Sequence, residues 1–312
     1  MKYLGIDIGG TNTKIALVTQ RGETSLVRRF YYEDVDLSLD YFLEQVSSIV
    51  KSIASTAQEP CAGIGISCPG LQMEHGCGVL YSVNMPILNG FDIKKYFQSN
   101  FQLPVAVSND LVAHSMAESS FGVGRDVDRF LSVSLGTGIG HTFIYKGKPQ
   151  FSICQISGDS GRMILDPNSD LKDISGISGS AEALCGVHAI EALGMEYFGI
   201  EAKRHSAQEI ITMARENDPT AVEIMSQISH RLGLFLVNLS VIYFPEVISV
   251  TGGQTEAGEF FVDECQKEFD HRSSGYFDGI MGYFGKGKKI NILKADAGGL
   301  AGVLGSVVPL LK

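Results

Sequence analysis

The chain has 312 residues, 44% of them apolar, enough to bury a large core and to divide into two domains. A net charge of −10 argues against nucleic acid, or an anionic membrane surface, as the main partner. No apolar run approaches the ~20 residues that span a bilayer, and no basic-then-apolar leader opens the chain. The 6 cysteines are scattered without a C-x-x-C pair, which suits a reduced, cytoplasmic protein.

The first informative stretch is YLGIDIGGTNTKIAL, Tyr3 to Leu17. An apolar run delivers one carboxylate, Asp7, to Gly9-Gly10-Thr11, and a second alternating run follows, so the pattern predicts a β-hairpin. Glycines with positive φ are expected in the turn, leaving backbone amides open as a concave anion site. Thr11, Asn12 and Thr13 add donors, and Asp7 suits a hydrated Mg²⁺. Lys14 is either a phosphate reader or an exposed strand lysine. Thr24 to Phe30 predicts a third strand. Ser38 caps a helix whose apolar positions run Leu39, Phe42, Leu43, Val46, Val50 and Ile53. Cys61 to Ser67 reads as a buried strand, Asp92 to Phe101 as a helix and Leu103 to Ser108 as another strand. Asn109-Asp110 then opens a helix over Leu111 to Phe121, and on residue chemistry alone Asp110 suits first an N-cap and second a site carboxylate.

Gly122-Val123-Gly124 marks a crossing to a second domain, which opens on FLSVSLGTGIGHTFIY, Phe130 to Tyr145. This stretch lies over the first, with Tyr3 on Phe130, Ile6 on Val133 and Gly9 on Gly136, but Asp7 falls on Ser134. Two glycine strand-turn-strand units imply two related lobes, each with a phosphate turn. Ser206 with Glu209 has the capping-box pattern. Asp218-Pro219 starts a long helix that Pro245 ends. Val247 to Thr251 is a buried strand leading to Gly252-Gly253-Gln254, a turn suited either to close helix-strand packing or to a nucleotide. Asp296 to Leu300 opens a small-residue helix.

DIGGTNTK at Asp7 to Lys14 and LGTGIG at Leu135 to Gly140 resemble the two phosphate motifs of the sugar-kinase/hsp70/actin superfamily. From residue 3 to about 306 the chain is similar to the ROK family of bacterial sugar kinases and sugar-responsive repressors. The resemblance implies an α/β fold of two ribonuclease-H-like (actin-like ATPase) lobes around a central cleft. One lobe would hold residues 1–122 with the C-terminal helix 297–312, the other residues 123–296. It implies ATP-dependent phosphorylation of a hexose or N-acetylhexosamine. Asp110 would be the base, while Asp7, Gly9, Gly10, Thr11, Asn12, Lys14, Gly136, Thr137 and Gly138 would handle phosphate and Mg²⁺. Gly252, Gly253 and Gln254 would meet the adenosine. Asn84, Asn109, Asp110, Asp159, Arg162 and Glu182 would meet the sugar, although Asn84 before Met85-Pro86 also suits a plain turn. A homodimer acting on a small-molecule sugar is expected.

The chain departs from the family where its kinases carry Glu-x-Gly-His and then Cys-x-Cys-Gly-x-x-Gly-Cys-x-Glu, segments that bind structural zinc. Here they read Asp159-Ser160-Gly161-Arg162 and Asp173-Ile174-Ser175-Gly176-Ile177-Ser178-Gly179-Ser180-Ala181-Glu182. Every thiolate and the imidazole are replaced, so no structural zinc is expected. Arg162 either ties down Asp159, Asp173 or Glu182, or reads an anionic group on the acceptor. The rival readings are a sugar sensor of weak activity, a repressor, whose DNA-binding helices would precede the first strand, and an actin- or chaperone-like ATPase.

Overall fold

The computed structural model describes all residues except 33–35, 58, 137, 200–204, 284–288 and 312. The chain forms two compact units, one of residues 1–126, 147–157 and 296–312, the other of residues 127–146 and 158–295.

In the first unit, β1 (Lys2–Ile8), β2 (Asn12–Thr19) and β3 (Thr24–Tyr31) form a meander. Then follow α1 (Leu39–Thr56), β4 (Cys61–Cys68), a small ribbon of β5 (Leu71–Gln72) with β6 (Val79–Tyr81), α2 (Ile93–Phe101), β7 (Val105–Asn109) and α3 (Asp110–Phe121). The sheet order is β3-β2-β1-β4-β7, with β4 parallel to both β1 and β7. Ser38 accepts from the Tyr41 N–H to start α1. Period-two alternation along β1 serves both faces of the sheet. Leu4, Ile6 and Ile8 join Phe42, Val46 and Val50 of α1 in one core, while Tyr3 belongs to a second core with Ala117 of α3. The sequence alone places 123–296 wholly in the second lobe. Residues 147–157 instead belong to the first unit, where the Gln72 N–H donates to the Cys154 carbonyl at 3.4 Å.

In the second unit, β8 (Arg129–Leu135) and β9 (Ile139–Tyr145) form the second glycine hairpin. Helices α4 (Ala181–Cys185), α5 (Val187–Phe198), α6 (Ala207–Arg215) and α7 (Pro219–Tyr243) lead to β10 (Val247–Thr251), α8 (Glu259–Tyr283) and β11 (Asn291–Lys294). The main strands run β9-β8-β10-β11, repeating the β2-β1-β4-β7 order of the first unit in the ribonuclease-H-like manner. Ser206 and Glu209 form the full capping box of α6, and Asp218 caps α7 through the Ala221 N–H. Phe244, at φ 46, ends α7 in the left-handed region just before Pro245.

The chain returns to the first unit as α9 (Ala301–Val307). Its small residues let backbone meet backbone. A Cβ on Gly5 would fall 2.8 Å from Val303 Cγ1, and one on the neighbouring Gly65 would fall 2.6 Å from the Val307 nitrogen. On the other flank the Glu118 carboxylate of α3 accepts from Ala297 N–H at 2.7 Å and Val123 N–H at 3.3 Å, near two of the four connections to the other unit's sequence.

Candidate active site

In the first unit the candidate residues gather at the carboxyl ends of the parallel strands, the usual ligand edge of such sheets. The register sets Asp7 beside Ser67, Ser67 beside Ser108 and Cys68 beside Asn109, with Asp110 next in the chain. Asp7 is 9% exposed. Ser67 Oγ donates to its Oδ1 at 2.9 Å, and Lys14 Nζ lies 3.9 Å from Oδ2 while donating to the Gly299 carbonyl at 3.0 Å. Lys14 therefore answers Asp7 rather than standing as a lone surface cation. Gly302 of α9 lies directly against the Asp7 carboxylate, where a Cβ would come within 2.5 Å of Oδ2.

The first glycine turn differs from the expectation in its backbone. Neither Gly9 nor Gly10 has positive φ, so chain reversal is not why glycine stands there. Gly9 N–H is engaged with the Asn12 carbonyl at 3.0 Å, and Gly10 is exposed, with Asn84 Cβ 3.5 Å from where its own Cβ would be. A Cβ on Gly9 would press on the Asn12 carbonyl at 3.1 Å, whereas one on Gly10 would meet Asn84 at ordinary contact distance. Asn12 Nδ2 donates to Thr11 Oγ1, and Asn12 Oδ1 is buried with no hydrogen-bond partner among the described residues.

Tyr32, which sequence reasoning missed, clamps this turn from both ends. Its hydroxyl donates to the Gly9 carbonyl at 2.5 Å and its N–H donates to the Thr11 carbonyl at 3.1 Å. The ring packs edge-on to Phe30 and Phe42, and burial pushes the phenol up to about 12. An aromatic at the end of a strand looks like core, so no local signal marks this role.

Asp110 is not the N-cap of α3. Asn109 takes that place, its Oδ1 accepting from Leu111 N–H at 2.9 Å and Val112 N–H at 3.3 Å, while its Nδ2 donates to the Gly70 carbonyl at 2.8 Å. One amide hydrogen of Asn109 is left for any other partner. Asp110 becomes the first helical residue, half-buried, with Oδ1 accepting from Leu111 N–H. Burial raises its pKa and nearby Asp7 adds to the rise, against lowering by the Leu111 N–H and His114.

The second unit carries the other candidates. The turn between β8 and β9 closes with Gly136 N–H on the Gly138 carbonyl at 3.0 Å; Thr137 lies outside the described residues. Glu182, on α4, is buried, and its Oε2 accepts from Ile139 N–H at 3.1 Å. Arg162 Nη1 lies 2.6 Å from Glu182 Oε1 and 3.0 Å from Asp173 Oδ2, and its Nε is 3.4 Å from Asp159. Ser180 Oγ donates to Asp173 Oδ2 at 2.7 Å, and Asp173 Oδ1 accepts from Ser175 and Ile177 N–H groups. Burial opposes ionisation of Asp173, but these donors and Arg162 hold it down at about 2. The four positions that depart from the zinc pattern thus form one hydrogen-bonded ion cluster. Among the described residues, no group of three or more His, Cys, Asp or Glu is arranged to hold a metal.

His141, also missed, braces the same loop. Buried between Ser160 Oγ at 2.8 Å and Tyr243 Oη at 2.9 Å, it is kept neutral, its pKa lowered by burial to about 4. At the predicted adenosine turn the three residues separate. Gly252, φ +107, packs against the Leu135 backbone, whereas Gly253 is exposed and open. Gln254 turns inward, 1% exposed, its Nε2 donating to the Cys185 carbonyl at 2.9 Å. Its side chain is an interior strut, so only the backbone of this turn is available outside.

A family model described as "ROK family" matches residues 3–310. A glucokinase from Halalkalibacterium halodurans is 23% identical over 86% of this chain and 85% of its own. An N-acetyl-D-glucosamine kinase from Aliivibrio fischeri is 24% identical over 99% of both chains. The crystal structure of a ROK hexokinase from Thermus thermophilus aligns with TM-score 0.82 at 21% identity, covering 99% of this chain and 97% of that one. Matched along almost its whole length and sharing this fold, the chain belongs to the ROK family.

Proposed function

We propose that the protein is a sugar kinase, moving the γ-phosphoryl group of ATP to a hydroxyl of a hexose or N-acetylhexosamine, with Asp110 taking the hydroxyl proton. One observation carries the reading. Asp110 is a partly buried carboxylate with a raised pKa, relieved of capping by Asn109, at the strand edge that bears Asp7. A base lifted above the ordinary carboxylate range is better matched to a hydroxyl proton at neutral pH.

Mg²⁺ suits Asp7, one of whose oxygens is held by Ser67 while the other has Lys14 at 3.9 Å among the described residues. When bound with ATP, the ion supplies neutralisation of phosphate charge. Asp7 would hold it through water, Lys14 would add a second positive charge, and exposed Gly10 and Thr11 with Asn12 would cradle phosphate. In the second unit Gly136 to Gly138 would do the same, and the Gly252-Gly253 backbone would lie along the adenosine. Asn84, Asn109, Asp159, Arg162 and Glu182 would set which sugar is accepted. The same reading makes the enzyme a cytoplasmic homodimer, which light scattering tests for its oligomeric part. An ADP-release screen across hexoses, N-acetylhexosamines and sugar acids tests the activity. Turnover with one class is expected. ATP and sugar binding with no sugar-stimulated ADP release would replace the kinase with a sugar sensor.

A further inference from the structure

Glu182 is where the acceptor loop and the second phosphate turn meet. Its Oε1 accepts from Arg162 Nη1 at 2.6 Å, and its Oε2 accepts from the N–H of Ile139, the residue after Gly138, at 3.1 Å. The carboxylate is so close to the turn that a Cβ on Gly138 would fall 2.5 Å from Oε2. Such a position poses an electrostatic problem for a turn that receives a polyphosphate. An ionised carboxylate beside it would repel the ligand, and in a partly desolvated site the repulsion is weakly screened. Arg162 is placed to offset that charge, Glu182 being the nearest of the three carboxylates it pairs with. Its own position is set by Asp173, which Ser180 and two backbone N–H groups hold in turn.

We infer that Arg162 and Glu182 are positioning residues for the nucleotide: Glu182 holds the backbone after Gly138, and Arg162 neutralises Glu182 so that this hold does not repel phosphate. The inference rests on the kinase reading. It gives Arg162 a task separate from reading the sugar, because both oxygens of Glu182 already have charge-assisted partners.

The test is nucleotide affinity without sugar, by calorimetry with ATP, alongside the Tm of each variant. Arg162→Met leaves Glu182 uncompensated and should weaken ATP binding by about tenfold or more, a loss that added KCl screens only weakly. Adding Glu182→Gln to that variant removes the stranded charge beside the turn while keeping an acceptor for Ile139 N–H, and Asp173 retains Ser180 and its two backbone donors. The double variant should recover to within about threefold of wild type. A purely structural role for Arg162 would lower Tm in both variants and would not be rescued. Folded Arg162→Met within about twofold of wild-type affinity, or a double variant as weak as the single, overturns the inference. If Arg162→Met does not fold, Arg162→Lys replaces it. The retained charge should keep ATP affinity within about threefold, and a tenfold loss there overturns the charge-cancelling role. Failure of the wild-type chain to bind ATP at all would remove the kinase reading itself, and this inference with it.

Discussion

Gly302→Ala should disable the protein through Asp7 without substituting any residue of the phosphate motifs. An ideal Cβ at Gly302 would come within 2.5 Å of Asp7 Oδ2 and closer still to Cγ and Oδ1. Ordinary contact needs about 3.5 Å, so something must yield by about 1 Å. Helix α9 has little freedom to move, since its backbone is seated on Gly5 and Gly65, whose ideal Cβ positions would crowd the Val303 carbonyl and lie 2.6 Å from the Val307 nitrogen. The Asp7 side chain is the softer partner, and rotating it breaks the 2.9 Å hydrogen bond from Ser67. Loss of a hydrogen bond to a charged group costs roughly 1.5–3 kcal/mol, and overpacking adds roughly 1–3. The helix propensity of alanine over glycine returns only about 1 kcal/mol. The net is a destabilisation of roughly 2 kcal/mol or more, a Tm lower by about 4–8 °C for a unit of this size. The catalytic cost should be larger, because a misplacement of about 1 Å can cost about 100-fold. The assay is ADP release titrated with Mg²⁺, next to a thermal melt. A lower kcat and a raised half-saturating Mg²⁺ concentration are expected. Gly299→Ala is the control, since a Cβ there meets nothing within 4 Å. Gly302→Ala with kcat and Mg²⁺ dependence within about threefold of wild type would refute the reasoning.

Asp110→Asn should retain ATP affinity and lose kcat by several orders of magnitude; a loss under about tenfold would remove Asp110 as base. In the wild type, kcat/KM should fall as pH drops through the raised pKa of Asp110, so the acid limb should lie above the ordinary carboxylate range, and a limb at the usual Asp value would contradict it. Tyr32→Phe keeps the ring packing but frees the Gly9 carbonyl and the buried Thr13 hydroxyl, so KM for ATP should rise several-fold alongside a modest fall in Tm; an unchanged KM would make Tyr32 a core residue only. His141 contributes to acid instability with a definite sign. Its folded pKa, about 4, lies below the ordinary imidazole value of 6.5, so only the unfolded chain gains the proton between them. Stability should therefore decline as pH falls from about 6.5 to about 4, by up to roughly 3 kcal/mol, and His141→Gln should flatten that decline in urea titrations.

What the sequence alone determined is local. Ser38 and Asp218 cap their helices, Ser206 and Glu209 close their box, and apolar alternation around each glycine turn makes a hairpin, because each device acts within a few residues. The duplicated hairpin also made the two-unit architecture legible. Other features depend on residues distant in the chain. Asn109 rather than Asp110 caps α3 because it is Asn109 that ends β7, with its amide on Gly70. Gly9 and Gly10 are not left-handed, since the turn closes through Asn12 and is clamped by Tyr32 from the end of the meander. Gln254 points inward because Cys185, far earlier in the chain, offers its carbonyl. Arg162 had three acidic candidates in sequence, and only folding brings Glu182 and Asp173 within 3.0 Å of one nitrogen. Residue type states which bonds a side chain can make, whereas the tertiary fold sets the distances at which electrostatics and hydrogen bonding act, and so decides which are made.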